Sequence, residues 1–425
     1  MNWKMKFARN WGRLGMKSEW ITYTVQELID KEMLEPPMDG NHGGIHPKTS
    51  DYVKSGVPFI MANDLINGKV DYSNCAFITN KQAGTLKKGF AHPGDVLLTH
   101  KATIGRTALV GDEYDTIILT PQVTYYRVKH GISNLYLKYY FDSNEFQQTL
   151  ANWAGSGSTR AYLGITAQRK LPVVLPPLEI QTKIAEFGRM LDDKIELNNK
   201  VNENLLQQAL AIYKAWFCDY VLSDGVLPES WHITTIDALS SLVTRGIAPK
   251  YDDNSNQIVL NQKCIRDHTI EVSLARRHLP KKINEKWISK GDLLINSTGT
   301  GTLGRVAQVW FEANNMTVDS HVTIVRPKAP ILQSYIGFWG LSHESEIEAQ
   351  HTGSTGQTEL PRDRVKAMEL TLPDVDTLSK FNELVIPMTD VVVSNQKENA
   401  RLSQLRDTLL PKLMSGELDI SELEL

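Results

Sequence analysis

An internal repeat constrains this chain more than any other feature of its sequence. Short motifs recur in the same order at a spacing close to 197 residues within the 425-residue chain. Periods of about 20–50 residues indicate a solenoid, whereas a period this long indicates a duplicated domain. We therefore predict two similar modules with pseudo-two-fold symmetry and two similar binding surfaces. The matched motifs are Gly94-Asp95-Val96-Leu97-Leu98 with Gly291-Asp292-Leu293-Leu294-Ile295, Gly105-Arg106 with Gly304-Arg305, Val123-Thr124 with Val322-Thr323, Gly157-Ser158-Thr159 with Gly353-Ser354-Thr355, and Leu175-Pro176 with Leu372-Pro373.

Length and composition agree with two or three ordinary domains. With 41% hydrophobic and 22% charged residues, each domain can form a core. No apolar run approaches the roughly 18 residues of a transmembrane helix, and no apolar stretch follows the basic N-terminus as in a secretory signal. The three cysteines are too far apart for a disulfide framework or a metal-binding pair. These features predict a cytoplasmic globular protein, and the net charge of −3 argues against a general polycation.

Each half begins with short strands and ends in a long helix. The β-branched runs bounded by Gly, Pro, Asp or Asn are typical of strands, and a proline is tolerated in the first helical turn. The strands are predicted at Val96–Thr99, Thr116–Leu119 and Val123–Val128 in the first half, and at Leu293–Asn296, Val306–Trp310 and His321–Val325 in the second.

The two helical segments carry apolar residues at spacings of three and four, as in a coiled coil. Asn198 and Asn202 interrupt the first stripe, and Asn395 and Asn399 interrupt the second. We predict that the two helices pack as an antiparallel pair whose matched asparagines fix the register at some cost in stability. Pro387 should kink or break the second helix. The alternative is that each helix merely covers the sheet of its own half.

The predicted fold class is therefore α+β, with two similar mixed α/β domains separated by two long antiparallel coiled-coil helices. A helix over residues 180–216 would be roughly 55 Å long at about 1.5 Å per residue. Both helical segments contain more acidic than basic residues. Solvated helix faces explain this excess, and so does a need to stay away from a polyanion that the other segments contact.

Catalytic motifs are largely missing. Gly299-Thr-Gly-Thr-Leu-Gly304 matches G-x-G-x-x-G, but a predicted strand follows it, whereas a dinucleotide-binding loop opens a helix. No P-loop or nucleophile elbow occurs. Asp95 and Asp292 lie in Gly-Asp turns before buried strands, so turn chemistry explains them better than catalysis. The chain is therefore not predicted to be an enzyme by itself.

The loops of both halves contain hydroxyl, amide and basic side chains. Such groups contact phosphates and base edges in nucleic acids, although plain turns also use them. Loops that differ in detail within matching frames indicate two modules that read different things. The candidate DNA-binding residues are Thr99, Lys101, Thr103, Arg106, Ser158, Thr159 and Arg160 in the first half, and Ser297, Thr298, Thr300, Arg305, Ser354, Thr355 and Gln357 in the second.

These motifs together resemble the specificity subunit of a type I restriction-modification system. The resemblance covers roughly residues 20–420, and the duplicated order of the motifs is its most specific part. The carrying motifs are Gly-Asp-Val-Leu-Leu (94–98), Gly-Arg (105–106), Gly-Ser-Thr (157–159), Leu-Pro-Pro-Leu-Glu-Ile-Gln (175–181), their second-half counterparts, and Leu-Leu-Pro-Lys-Leu-Met-Ser-Gly-Glu-Leu (409–418).

The resemblance implies two target-recognition domains, each of which reads one half of a gapped double-stranded DNA target. It implies that the helix pair sets the spacer and docks two methylation subunits, which bind S-adenosylmethionine and methylate adenine, and that restriction subunits use ATP and Mg. The chain itself would have no catalytic site, bound metal or cofactor. The implied organisation is an N-terminal extension at 1–19, recognition domains at 20–177 and 221–373, a central helix at 178–220, and a distal helix with a tail at 374–425.

Two other functions fit parts of the sequence. A bivalent protein-interaction scaffold without DNA binding would also use duplicated modules and central helices. A methyltransferase is less well supported, because neither an Asn-Pro-Pro-Phe/Tyr motif nor a nucleotide-binding loop on a helix is present.

Overall fold

The computed structural model describes residues 20–155, 161–279, 283–299, 301–353 and 358–420. The chain divides into two compact units. Unit 1 comprises the chain up to Ile195 together with the segment from Arg401 onward, and unit 2 comprises Glu196–Ala400. None of the helices in these described ranges is long and apolar enough to cross a membrane.

Unit 1 begins with short strands and small helices, and the first long helix continues from it into unit 2. The elements are β1 (Ile21–Thr24), α1 (Val25–Asp30), β2 (Met38–Asp39), β3 (Val57–Ile60), β4 (Leu65–Ile66), β5 (Gly68–Val70), β6 (Ala76–Ile78), α2 (Asn80–Ala83), β7 (Phe90–Ala91), β8 (Val96–Lys101), β9 (Thr103–Leu109), β10 (Ile117–Leu119), β11 (Val123–Tyr126), α3 (Asn134–Asp142), α4 (Asn144–Trp153), α5 (Ile165–Gln168), β12 (Pro172–Leu175) and α6 (Leu178–Tyr213).

Unit 2 repeats this plan, and the second long helix returns from it to unit 1. The elements are β13 (His232–Thr235), α7 (Ile236–Leu239), β14 (Ser240–Arg245), β15 (Gln257–Leu260), β16 (Ile265–Arg266), β17 (Thr269–Ile270), β18 (Arg276–His278), β19 (Leu293–Asn296), β20 (Val306–Gln308), β21 (Met316–Val318), β22 (Val322–Pro327), α8 (Gln333–Ser342), α9 (Glu344–Ala349), α10 (Arg362–Lys366), β23 (Glu369–Leu372) and α11 (Val375–Met414).

The sheets of the two units share a common strand order, although unit 1 has one additional strand among the described residues, β7. Unit 1 has the strand orders β1-β12, β6-β3-β10-β7 and β2-β11-β8-β9-β5-β4, and unit 2 has β13-β23, β18-β15-β21, β14-β22-β19-β20 and β16-β17. The central registers also match, because Leu98 lies opposite Thr124 in unit 1 and Ile295 lies opposite Thr323 in unit 2. The predicted fold class, a repeated α/β architecture with long helices, is confirmed.

A pair of glycines shows that the repeat extends to individual backbone positions. A Cβ atom at Gly40 would collide with the carbonyl oxygen of Leu119, and one at Gly246 would collide with the carbonyl oxygen of Val318. Gly40 directly follows β2 and approaches the end of β10. Gly246 directly follows β14 and approaches the end of β21. Any side chain at either position would force these backbones apart.

Both long helices contribute side chains to the core of each unit. In unit 1, Ile184 and Phe187 of α6 are buried in the same cluster as Leu410 and Leu413 of α11. In unit 2, Ala209 and Tyr213 of α6 share a second cluster with α11, which contributes Phe381, Val385 and Val392. Burial of these apolar stripes explains the three- and four-residue spacing seen in the sequence.

The asparagines within the stripes make the contacts expected of an antiparallel pair. In unit 2, the Asn198 Nδ2 atom donates to Oδ1 of Asn399 over 2.8 Å, and Asn395 Nδ2 donates to Asn202 Oδ1 over 2.8 Å. A break at Pro387 is wrong, because α11 is continuous from Val375 to Met414. The kink, which was the other possibility, stays a prediction. The buried Val385 and Val392 on either side hold the helix together where proline cannot donate a backbone hydrogen bond.

Candidate nucleic-acid interface

The first candidate loop is the hairpin turn between β8 and β9 in unit 1. Ala102 occupies the left-handed region with φ +64°, which makes this connection very tight. Its N–H donates to the Ala161 carbonyl over 3.1 Å, so the hairpin is fixed to the segment that follows α4. Lys101 is exposed and Thr103 is half-buried on either side of the turn. Both side chains are available to a ligand on this surface.

Thr99 and Arg106 lie further back on the same hairpin. Thr99 is fully buried, and its hydroxyl accepts a hydrogen bond from the Arg106 backbone N–H over 2.9 Å. Burial therefore argues against the predicted DNA contact at Thr99 and gives that residue a structural role. The Arg106 side chain is exposed, and its Nη1 donates to the Ala62 carbonyl over 3.2 Å. That single anchor leaves other guanidinium donors of Arg106 free for a phosphate or a base.

The second candidate loop connects β19 and β20 in unit 2. Ser297 is fully buried, with its hydroxyl 2.5 Å from Thr323 Oγ1, so burial argues against the predicted DNA contact at Ser297. Thr298 is half-buried, and its hydroxyl lies 2.8 Å from His321 Nδ1 and accepts from the Gln262 amide over 2.6 Å. The Thr298 hydroxyl is thus part of a local network that shapes the loop.

Arg305 follows this loop and lies half-buried beside an acidic residue. Burial alone would raise the pKa of Glu344, but hydrogen bonds from His268 and the Val306 N–H, with the charges of His268 and Arg305, hold that pKa below its ordinary value. Glu344 is therefore an anion at neutral pH, and it balances part of the positive charge of Arg305. As predicted, a strand and not a helix follows the G-x-G-x-x-G pattern.

Half of the candidate residues lie outside the described part of the chain. These are Ser158, Thr159, Arg160, Thr300, Ser354, Thr355 and Gln357. The structure brings Lys101, Thr103 and Arg106 together on one hairpin of unit 1, and it places Thr298 and Arg305 on the corresponding connection of unit 2.

A buried polar group lies behind the unit 1 hairpin. His100 is fully buried, and its Nδ1 is 3.0 Å from the Leu163 carbonyl. Its Nε2 has no hydrogen-bond partner among the described residues and lies 4.0 Å from Oδ2 of the buried Asp39. Burial lowers the pKa of His100, although the charge of Asp39 opposes this shift. Asp39 also bonds to Lys88 and to His42, which connects the base of the hairpin to the loop after β2.

Each unit also contains the same buried ion pair. Arg127 Nε and Nη2 donate to the two carboxylate oxygens of Asp95 over 2.9 and 2.7 Å. Arg326 contacts Asp292 in the same way over 2.8 and 2.7 Å. The hydrogen bonds to these carboxylates raise the pKa of both arginines. The pairs join the residue before β8 to the residue after β11, and the residue before β19 to β22, and thereby fix the sheet that carries each candidate loop.

Two exposed basic residues lie outside the loops that match between the halves, and they were not predicted. Arg276 and Arg277 form the outer strand β18 of a unit 2 sheet and are both exposed. The corresponding strand of unit 1, β6, has Ala76 and Phe77 at these positions. The signal was present in the sequence as a difference between the repeats, namely a basic run in only one of them.

The sequence of this chain is similar to those of known proteins. Residues 18–207 match the family model described as the type I restriction modification DNA specificity domain. The type I restriction enzyme MjaIX specificity subunit of Methanocaldococcus jannaschii is 27% identical over 412 residues, which cover 90% of this chain and 91% of that protein. The type I restriction enzyme HindI specificity subunit of Haemophilus influenzae is 22% identical over 444 residues, which cover 85% of this chain and 94% of that protein.

A solved structure supports the fold over the same range. The S subunit of the type I restriction-modification system from M. genitalium aligns with a TM-score of 0.57 at 14% identity, covering 95% of this chain and 98% of that chain. The repeated α/β units and long helices of this chain thus have the same fold as that protein. The chain is similar to type I specificity subunits in the sequence of residues 18–207 and in its two relatives, and it shares the fold of this S subunit.

Proposed function

We propose that each unit reads one half of a bipartite, gapped double-stranded DNA target. The observation that carries this proposal is the placement of one hydroxyl-rich and basic connection at the same point of each unit's sheet. Lys101 and Arg106 serve this role in unit 1, and Arg305 serves it in unit 2, with exposed or half-buried side chains. Cations at such positions contact phosphates and orient the protein, while loop side chains read the base edges.

The frame behind each loop supports recognition because it is rigid. Bidentate Arg-carboxylate pairs anchor the strands in both units, and Thr99 and Ser297 join their loops to the same sheets through buried hydrogen bonds. A preorganised surface loses little conformational entropy on binding. Differences in DNA sequence therefore change the binding affinity directly. The loops differ in residue type, which fits two different half-site sequences.

We further propose that the long helices set the spacer between the half-sites and dock two methylation subunits. Unit 1 exposes Met190 of α6 and Leu405 of α11, and unit 2 exposes Leu197 of α6 with Leu384 and Val391 of α11. Apolar side chains exposed on a helix are typical of a surface that another protein covers. One such surface in each unit fits two copies of one partner.

Catalysis would then belong to the partners. We propose that the methylation subunits bind S-adenosylmethionine and modify adenine, and that restriction subunits, where present, use ATP and Mg. This chain would contribute DNA recognition and assembly only.

The proposal is tested by changing one unit at a time in the complete complex. Lys101→Ala should weaken binding to a duplex in which the unit 2 half-site has been scrambled, and Arg305→Ala should do so when the unit 1 half-site has been scrambled. Each lost phosphate or base contact should cost about 1–3 kcal/mol, or roughly 5- to 150-fold in the dissociation constant. Lys328→Ala, at an exposed lysine whose Nζ donates to the Ala238 carbonyl over 2.6 Å, is the control.

Two results would contradict the proposal. One is that both variants bind every duplex as the unchanged complex does. The other is that the complex shows no DNA binding while the chain still captures two protein partners, which would favour a protein-interaction scaffold.

A further inference from the structure

We infer that strand β18 of unit 2 is a phosphate-binding surface for DNA that unit 1 lacks. The inference rests on the proposed function and names the part of unit 2 that binds the DNA backbone. It is carried by Arg276, Arg277 and Tyr251, together with the position of their strand next to the candidate loop.

The geometry of Arg276 suits an anion. Its guanidinium carbon lies 3.5 Å from the centroid of the Tyr251 ring, and the ring is 42% exposed. Stacking uses the flat face of a guanidinium, whereas all five N–H donors lie in its plane and point outward at the edge. Arg276 is therefore held in place by Tyr251 without consuming the donors that match two phosphate oxygens.

Arg277 is anchored differently. Its Nη1 donates to the Ser255 carbonyl over 2.8 Å, and the rest of the side chain is exposed. Among the described residues, neither Arg276 nor Arg277 has a carboxylate within ion-pair distance. Asp252, whose N–H donates to the Arg277 carbonyl over 3.2 Å, offsets part of the charge of the two arginines. The two arginines and the exposed Lys250 nevertheless outnumber the carboxylates of Asp252 and Asp253 in these two segments.

The strand adjoins the candidate loop of unit 2. Arg276 lies opposite Val259 in the register of β18 with β15. Strand β15 ends at Leu260, and Gln262 two residues later bonds to the Thr298 hydroxyl over 2.6 Å. The basic end of β18 is thus next to the chain segment that supports Thr298. A duplex seated on this loop would have its backbone within reach of an arginine side chain on β18.

The corresponding strand of unit 1 provides an internal comparison. Strand β6 pairs with β3 in the same register, with Phe59 opposite Ala76 and Pro58 opposite Phe77. The two registers are identical after a shift of 200 residues, yet Ala76 and Phe77 carry no charge. If the fold needed basic residues at these positions, both strands would have them. The arginines of β18 therefore have a role that is specific to unit 2. Charges on an outer strand also prevent edge-to-edge association, which is the simpler explanation to be tested.

The test measures binding of the full chain, assembled with the subunits that copurify with it, to a mixed-sequence duplex of about 40 base pairs. Fluorescence anisotropy is recorded between about 50 and 200 mM salt. Each phosphate contact contributes about 0.9 to the slope of log K against log salt. The Arg276→Gln/Arg277→Gln variant should reduce the slope by about 2, and Arg276→Gln alone by about 1. Lys328→Gln, at an exposed residue whose Nζ donates to the Ala238 carbonyl over 2.6 Å, should leave it unchanged.

Arg276→Glu separates the two explanations. A glutamate still protects an outer strand, but it repels phosphate, so this variant should stay monodisperse and bind more weakly than Arg276→Gln. Aggregation of Arg276→Gln with an unchanged slope would overturn the inference in favour of edge protection. If the unmodified assembly binds but neither arginine affects the slope, the inference fails and the proposed function stands. If the unmodified assembly does not bind DNA even at the lowest salt, the proposed function fails as well.

Discussion

The buried carboxylates Asp95 and Asp292 show how the repeat works at the scale of single residues. Each accepts a backbone N–H from three residues earlier, from His92 and Ser289 respectively, which is the turn chemistry expected from the Gly-Asp motif. The arginine partners were not predictable in the same way. They lie more than 30 residues downstream, and only the pairing of two sheet strands brings each arginine to its carboxylate.

We predict that Arg326→Met destabilises unit 2. The change leaves Asp292, whose side chain is 1% exposed, without its cation. Loss of one partner of a buried pair costs about 3–5 kcal/mol, and the lower end applies because the arginine is itself partly exposed. Urea unfolding measures this loss, and Arg127→Met should produce the same loss in unit 1. An Asp292→Asn/Arg326→Met variant should recover part of the stability. Single variants within about 0.5 kcal/mol of the unchanged protein would contradict this account.

Asp39 makes the stability of unit 1 depend on pH in the acidic range. Burial would raise its pKa, but hydrogen bonds from Lys88 and His42, with their charges, lower that pKa below the ordinary value. A carboxylate with a depressed pKa in the folded state stabilises the fold above its unfolded pKa of about 4, and this stabilisation is lost as the pH falls through the folded value.

The prediction is that Asp39→Asn flattens the dependence of the free energy of unfolding on pH below about pH 4.5. Urea unfolding of both proteins from about pH 6 to pH 2.5 provides the measurement. The unchanged protein should lose stability more steeply than the variant over the acidic half of that range. Parallel curves would show that Asp39 has no such role.

At the scale of elements, the spacing of apolar residues along the chain correctly predicted strands and helices. The predicted strands at Val96–Thr99 and Leu293–Asn296 lie within β8 and β19, and the apolar stripes form α6 and α11. The break considered at Pro387 was the exception. A proline rule describes an isolated helix, whereas this helix is held on both sides of Pro387 by residues packed into the core of unit 2.

The asparagine contacts between the helices provide a test at this scale. Asn395→Leu alone should lower the free energy of unfolding of unit 2 by about 1 kcal/mol, because the Asn202 amide loses its partner. Asn202→Leu/Asn395→Leu should be at least as stable as the unchanged protein, since an apolar pair replaces a polar one. Chemical unfolding of all four proteins gives a double-mutant cycle. Strictly additive effects would show that the two asparagines do not interact across the helix pair.

At the scale of the whole molecule, the repeat was sufficient to predict the architecture but not the surface. Thr99 and Lys101 are two residues apart in one motif, yet one is fully buried and the other is exposed. Residues two apart on a strand share a face, so alternation does not separate them. Strand β8 is buried on both faces as far as His100, and Lys101 is exposed because it is the last residue of the strand, beside the turn. Arg276 was not predicted from the repeat, because it lies at a position where the two halves differ.

We propose above that this chain gives a methylation complex its DNA sequence specificity. Single-molecule sequencing of methylated adenine in the native genome, with and without the gene for this chain, tests it most directly. The account predicts that deletion removes methylation at one gapped, two-part motif and at no other. An unchanged methylation pattern, with the partner methylation subunit still expressed, would contradict it.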